Sequence, residues 1–381
     1  MITWTAEQRA FRQAIIQRAE PLSAEHLDHD LTHTYPVAKW DLLRETGIMA
    51  LPFDECWGGL GEGVLTTMHV LEALGEVCRD SGLAFSLTTT LASTGIALQR
   101  FGSDELKDNF LRRLCKGDLI GAHAITEAQG GSDALKMYTR AERVGDQWEL
   151  NGAKGFVTNA SIADTIMVYA KTRAEGGPLG VTAFLVDRCT PGLAVGPPIS
   201  KMGLRTAPTS EVFLTDVRVP HERVVGRVGG GYMVLDFVMK YEILFSFIVN
   251  VGEMSHRFTR ASEYARQREQ FGAKIGSYQA VAKKLVDAKI SLETCRKWLY
   301  DTGEKLERGE DVTFDVAVSK LLTSTANVQT GLDAIQIFGG YGYTTEYGLE
   351  KGLRDAVAST IYSGTNEIQY NRIASFLGLA R

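Results

Sequence analysis

The 381-residue sequence has little of what marks several common protein classes. No uninterrupted apolar run approaches the roughly 18–20 residues that a membrane span needs, so no membrane insertion is expected. The opening Met1-Ile2-Thr3-Trp4-Thr5-Ala6-Glu7 has no basic region leading into an apolar one, and a cytoplasmic address is the expectation. Cysteines are few: Cys56, Cys78, Cys115, Cys189 and Cys295 are odd in number and far apart, which fits free thiols better than a disulfide framework or a zinc knuckle. Charge of one sign is concentrated nowhere. The net charge of −5 is spread along the chain, and nucleic acid is not an expected partner. Internal repeats and low-complexity tracts are missing too. There is no G-x-G-x-x-G, no P-loop and no G-x-S-x-G, which removes the Rossmann, nucleotide-triphosphatase and serine-hydrolase readings. His26, His29 and His33 sit among Asp28 and Asp30 and could share a helix face as metal ligands. Pro36, the mixed spacing and the lack of a second ligand cluster favour a solvated surface segment, and no metal is predicted.

What the chain does have is a change of periodicity at two points. Up to about residue 119 the pattern is helical: Thr5 and Gln8 form a potential capping box, and Val64, Met68, Leu71 and Leu74 fall on one face. From about residue 120, short β-rich runs such as 165–169, 181–186 and 211–214 alternate with Gly and Pro, with no long helical pattern between them. This predicts a compact, mostly antiparallel β domain in place of βαβ units. After Gly229-Gly230-Gly231 helical periodicity returns, with long segments near 232–266, 278–308, 312–338 and 364–378. The expected fold is α+β and multidomain: a helical domain over 1–119, a β domain over 120–230 and a four-helix-bundle-like domain over 231–381.

Glu242 is the most informative single residue. It lies in Phe237-Val238-Met239-Lys240-Tyr241-Glu242-Ile243-Leu244-Phe245, and the positions three and four away are Val238, Met239, Phe245 and Ser246. No helical neighbour offers it a cation, whereas Lys240 is placed to pair with Asp236. Such a carboxylate is expected to be desolvated with a raised pKa, as a base for a weakly acidic carbon requires. A helix-surface glutamate is the other reading of the same residue.

Eight stretches, spanning nearly the whole chain in order, carry a resemblance. They are Trp57-Gly58-Gly59-Leu60-Gly61, Ile125-Thr126-Glu127 with Gly131-Ser132-Asp133, residues 151–159, Lys201-Met202-Gly203-Leu204-Arg205-Thr206, Asp216-Val217-Arg218-Val219-Pro220, Arg268-Glu269-Gln270-Phe271-Gly272, residues 336–342 and residues 361–368. Together they resemble the acyl-CoA dehydrogenase family. The resemblance implies FAD held between the β domain and the C-terminal helices of a homotetramer. It implies that Thr126, Ser132, Phe156 and Thr158 lie along the flavin, that Thr365 and Glu367 lie near its dinucleotide portion, and that Arg268, Phe271, Gln336 and Gly340 reach a neighbouring subunit's FAD. A forked arginine and the Gly339-Gly340 backbone suit a pyrophosphate. It implies further that a base removes the proton α to a thioester carbonyl while a hydride leaves the β carbon for flavin N5, the electrons passing on to an electron-transfer flavoprotein or similar acceptor.

Most family members carry that base one residue before the Gly-Thr of the C-terminal motif, where this chain has Ser363. In an isovaleryl- and long-chain-type branch the base sits on the C-terminal-domain helix, and counting back 26 residues from Arg268 reaches Glu242. The backbone N–H of Ser363 would still polarise the thioester carbonyl. Ser132, Lys240, Ser363 and Gly364 are expected to face the substrate. Phe156 replaces the family's flavin-side Trp, Lys240 and Ile243 replace a common Asp and Arg, and Ala207-Pro208 replace a Ser-Asp. These departures point away from ordinary acyl-CoA β-oxidation and toward an acyl carrier protein, whose acidic surface Lys240 would face. A flavin oxidase or monooxygenase on the same scaffold, and a non-catalytic flavoprotein, are the competing readings.

Overall fold

The computed structural model describes residues 2–173 and 177–379. Helix Ala6–Ile16 opens with the expected capping box: Thr5 Oγ1 accepts the Gln8 N–H at 3.1 Å, and the Gln8 side chain accepts the Thr5 N–H at 2.9 Å. Helix Gly63–Val77 is buried on most sides, well beyond the stripe of Val64, Met68, Leu71 and Leu74, because it packs between the N-terminal helix and the long helix Gly231–Gln267. Glycine makes that second contact possible. A Cβ at Gly75 would lie 2.1 Å from the Val249 carbonyl oxygen, and one at Gly252 would lie 2.1 Å from that of Glu72.

Helix Ser81–Phe101, with a π-helical stretch at Thr90–Ile96, corrects one expectation from the sequence. By length and composition it is apolar enough to cross a membrane, a property masked by the Ser, Thr and Gly residues spaced along it. Its apolar window is 89% buried inside the protein, which makes it a core helix here. The His26–Thr32 segment is also less solvated than expected. Asp30 is buried and pairs with Arg354 at 2.6 Å, and His26 Nδ1 meets the Ser23 carbonyl at 2.8 Å. All five cysteines are free, and burial pushes the Cys78 and Cys115 thiols up to about 12 and Cys295 up to about 11.

The middle of the chain forms an eight-stranded sheet: β1 Gly121–Ala124, β2 Arg140–Val144, β3 Gln147–Thr158, β4 Thr165–Lys171, β5 Val181–Asp187, β6 Leu193–Val195, β7 Thr209–Pro220 and β8 Val224–Val225. The strand order is β6-β7-β3-β2-β4-β5-β8, with β1 added against β4. Pairings are mostly antiparallel, as expected. The exceptions are β1 with β4, parallel from Gly121↔Thr165 to Ala124↔Val168, and a single β2–β4 contact. Register shifts between β3 and β7 leave Gly155 and Phe156 outside the ladder, as an extra residue in one strand does.

The long C-terminal helices are Gly231–Gln267, Gln279–Glu307, Thr313–Phe338 and Asn366–Phe376. A further helix, Leu349–Ala358, is not visible in the sequence pattern because Gly348 precedes it and Gly352 interrupts it. It joins all three regions. Arg354 pairs with Asp30 and donates to the Met202 carbonyl at 2.8 Å, Asp355 accepts the Leu204 N–H at 2.6 Å, and Lys351 donates to the Arg79 carbonyl at 3.2 Å. One apolar core runs from the N-terminal helices through the C-terminal bundle to strands β4 and β5, and a second fills the inside of the sheet.

Candidate active site

Glu242 sits about a third of the way along helix Gly231–Gln267, where the helix passes β1 and the loop before helix Asn366–Phe376. Its carboxylate is held from both sides. Ser363 Oγ donates to Oε1 at 2.6 Å, and His123 Nδ1 lies 3.2 Å from Oε2. His123 Nε2 in turn lies 3.3 Å from the Tyr169 hydroxyl on the adjacent strand β4. One helical turn on from Glu242, Ser246 shares a hydrogen bond of 3.0 Å with Thr88. No Lys or Arg pairs with Glu242 among the described residues, as the helix pattern predicted.

The expected rise in the Glu242 pKa does not occur. Burial alone pushes the carboxyl up, but the hydrogen bond and electrostatic attraction from His123, with the hydrogen bond from Ser363, outweigh it and hold Glu242 below the usual glutamate value. Tyr169 shifts the opposite way: burial, reinforced by the nearby Glu242 charge, raises its phenol and keeps it neutral. The sequence pattern around Glu242 could not reveal these donors, because they come from β1 and from a loop 121 residues downstream. One signal for His123 was available. It stands between two alanines immediately before Ile125-Thr126-Glu127, and strand alternation puts it on the same face as Ile125.

Ser363 and Gly364 adopt φ of +55° and +83°. Ser363 is buried, and its N–H has no acceptor among the described residues. A left-handed backbone carrying a free N–H next to an anionic side chain is costly unless something uses it. The loop is pinned from below. Gln369 donates to the Ser363 and Gly364 carbonyls at 3.3 and 3.1 Å, and the buried Lys320 donates to Thr360 O and Asn366 Oδ1 at 3.1 and 2.7 Å. Thr365 caps the following helix, and Glu367 stands exposed in its first turn.

On the sheet side, the Gly155 N–H donates to the Thr126 carbonyl at 2.8 Å, which sets Thr126 beside Phe156 and Thr158. Beneath them a buried pair, Lys154 Nζ to Glu127 Oε1 at 2.9 Å, locks the Thr126 turn to β3. Burial drops the Lys154 ammonium to about 8. Phe156 has φ +54° and is 68% exposed, a strained backbone presenting an unpacked aromatic side chain. Ser132 is exposed in the loop beyond. A ring platform, hydroxyls at Thr126 and Thr158 and an available N–H at Ser363 fit a flavin.

Arg268, Phe271, Gln336 and Gly340 are not part of this group. They gather at the far end of the bundle, where Tyr264 stacks on Phe338 with ring centroids 4.1 Å apart. There Phe271 and Gly272, both at positive φ, form the two-residue tip of a hairpin between Glu269–Gln270 and Ala273–Lys274, and Phe271 is 96% exposed. Gly339 and Gly340 have open space where a Cβ would stand, and Arg268 makes no ion pair among the described residues. At 1.5 Å per residue, Arg268 lies roughly 40 Å along the helix from Glu242. Lys240 shares its ammonium between Asp236 at 3.2 Å, as expected, and Asp311 at 3.9 Å.

Comparison with known proteins agrees with this arrangement. The chain matches the acyl-CoA dehydrogenase N-terminal domain over residues 5–118, the middle domain over 122–217 and the C-terminal domain over 229–378. It is 42% identical over 340 residues to an L-prolyl-[peptidyl-carrier protein] dehydrogenase of Serratia sp. (strain ATCC 39006), covering 89% of this chain and 88% of that protein. Among solved structures, it superposes on the prolyl acyl carrier protein oxidase AnaB with a TM-score of 0.97 and 38% identity, over 99% of this chain and 100% of the other. It superposes on PigA with FAD and proline with a TM-score of 0.96 and 38% identity, over 100% and 99% of the two chains. The chain belongs to the acyl-CoA dehydrogenase family and is an FAD-dependent dehydrogenase of thioester-bound acyl groups.

Proposed function

We propose that the acyl group is a cyclic amino acid, prolyl in the first instance, presented on the phosphopantetheine arm of a carrier protein, and that Glu242 is the base. The observation that carries the assignment is the Glu242 carboxylate, held ionised by two donors and facing a loop with a free Ser363 N–H. Glu242 takes the α-proton. The Ser363 N–H meets the thioester oxygen, where charge accumulates as the proton leaves. Bound FAD supplies the hydride acceptor. His123, Tyr169, Thr88 and Ser246 line the vicinity of the base with polar groups, which suits an amine-bearing ring better than a saturated hydrocarbon tail. The prolyl substrates named for two of the relatives support the same choice.

Thr126, Ser132, Phe156 and Thr158 would line the flavin, Thr365 and Glu367 its dinucleotide portion, and Gly364 would let the substrate approach the loop. Arg268 and Phe271 stand too far along the helix to serve the same flavin as Glu242. This supports a homo-oligomer, a homotetramer by family precedent, in which Arg268, Phe271, Gln336 and Gly340 contact a neighbour's FAD. A flavoprotein acceptor and a cytoplasmic address complete the reading. In an anaerobic mixing experiment, prolyl-loaded carrier protein should bleach the flavin much faster than butyryl-CoA. Glu242→Gln, with FAD still bound, should slow bleaching by about 10²–10⁴-fold. Equal rates with butyryl-CoA would refute the carrier-bound prolyl substrate, and an unimpaired Glu242→Gln protein would refute the base. Rapid reoxidation of the reduced protein by oxygen would move the assignment to the oxidase reading, which the kinship with AnaB keeps specific.

A further inference from the structure

We propose that His123, oriented by Tyr169, is a positioning residue for Glu242: it fixes which way the carboxylate faces and keeps it ionised in a closed site. This rests on the assignment of Glu242 as the base. His123 lies in a strand whose flanking residues, Ala122 and Ala124, are fully buried, and its own side chain is 7% exposed. A buried imidazole costs free energy unless both ring nitrogens are satisfied, and here they are, by Glu242 on one side and Tyr169 on the other.

The direction of the bonds follows from the partners. An ionised carboxylate only accepts, so Nδ1 carries the proton and donates to Oε2. The other ring nitrogen, Nε2, shares a hydrogen bond of 3.3 Å with the Tyr169 hydroxyl, and Tyr169 is fully buried and held neutral. The result is a hydrogen-bonded chain, Tyr169 to His123 to Glu242, in which the Nδ1 proton points at the base. Parallel pairing of β1 with β4 fixes its geometry, since His123 is directly opposite Met167 and Tyr169 lies two residues further on the same face.

Two donors on separate elements hold the two oxygens of Glu242, His123 from β1 and Ser363 from the loop before the last helix. A glutamate side chain has three rotatable torsions, and this double grip leaves it one orientation. The elements packed around the carboxylate bring few other ionisable groups. Helix Gly231–Gln267 brings Glu242 itself, β1 brings His123, and β4 brings Tyr169. The 360–366 loop brings Tyr362, a phenol raised by burial and bonded to Asn250 at 2.9 Å. Helix Ser81–Phe101 brings the Thr88 hydroxyl, bonded to Ser246, and the Phe85 ring, which packs on Tyr362. Among the described residues no Lys or Arg pairs with Glu242 and no second carboxylate hydrogen-bonds to it, so the two donors are what oppose desolvation.

The test is the pH dependence of anaerobic flavin reduction by prolyl-loaded carrier protein, with FAD content measured for each variant. The substrate amine titrates on the alkaline side and leaves the acid side to Glu242. The wild-type rate should be nearly flat from pH 7 to pH 5. In His123→Phe the lost donor lets the Glu242 pKa rise, so the rate should fall several-fold, up to about tenfold, between pH 7 and pH 5. His123→Asn places an amide N–H near the Nδ1 position and should restore most of the flat profile. Tyr169→Phe removes one hydroxyl from an otherwise intact core and should shift the acid side in the same direction by a smaller amount. A flat profile in both His123→Phe and Tyr169→Phe overturns the proposal, as does an Asn variant as acid-sensitive as the Phe variant. If His123→Phe does not retain FAD, the Tyr169→Phe profile decides alone, and an unshifted acid side overturns it. Failure of the base assignment is recognised separately, by rapid bleaching in Glu242→Gln.

Discussion

Glu242 was legible in the sequence as an oddity, a carboxylate without a helical cation, and its position was legible from the spacing to Arg268. Its chemical state was not. Periodicity reports neighbours along one helix, whereas the groups that set the charge of Glu242 arrive from residues 123 and 363. Desolvation does act on Glu242, but the hydrogen bonds from His123 and Ser363, with the electrostatic attraction of His123, exceed it. Ser363 shows the same limit in reverse. At sequence level it is the residue that cannot be the base, while in the structure its hydroxyl stabilises the base and its N–H faces the site. Ser363→Ala removes the first role and keeps the second, since alanine tolerates φ +55° about as well as serine does. The expected outcome is near-normal flavin reduction at pH 7.5 and no more than about a twofold loss at pH 5.5, because Glu242 starts below the usual glutamate value and loses one of its two donors. Stopped-flow reduction at the two pH values measures it.

Long helices were the easiest elements to anticipate, because a 3.6-residue period over 25 or more residues is hard to mistake. The β region was readable from short alternating runs, but the parallel seating of β1 against β4 was not, and that pairing is what delivers His123 beside Tyr169. Helix Leu349–Ala358 is hidden in the sequence because glycines at its start and middle break the pattern, and Ser81–Phe101 because its hydroxyl residues disguise an apolar core helix. Glycine also governs the crossing of Gly63–Val77 with Gly231–Gln267, the helix that carries Glu242. A methyl group at Gly252 would meet a main-chain oxygen that cannot rotate away, and the two helices would have to separate. Gly252→Ala should cost about 1–3 kcal/mol or more, read as a lower midpoint in urea unfolding. An unchanged midpoint would mean that the crossing has slack.

At the scale of the whole molecule, helix Leu349–Ala358 holds the N-terminal helices, the sheet and the bundle together through Arg354, Lys351 and Asp355. Asp355 is buried with Lys351 at 2.7 Å. Burial pushes its carboxyl up, but Lys351 and the Leu204 N–H more than reverse this and hold it below the usual aspartate value. A lowered folded-state pKa stabilises the native state above the unfolded value of about 3.9, and that contribution is lost as pH falls through the folded value. Asp355→Asn leaves Lys351 without its buried partner and should cost about 3–5 kcal/mol at pH 7. It should also flatten the loss of stability below about pH 4, which unfolding curves at several pH values would show. The order α, β, α was read from the sequence, but this junction was not, since its partners are separated by 150 residues or more. The rod-like helix from Glu242 to Arg268 has a consequence beyond the single chain. In the proposed assembly each protomer keeps its own chemistry at one end and lends its grip on a cofactor at the other. Cofactor affinity therefore becomes a collective property that weakens on dilution, and a defect at Arg268 is felt by the neighbour before the chain that carries it.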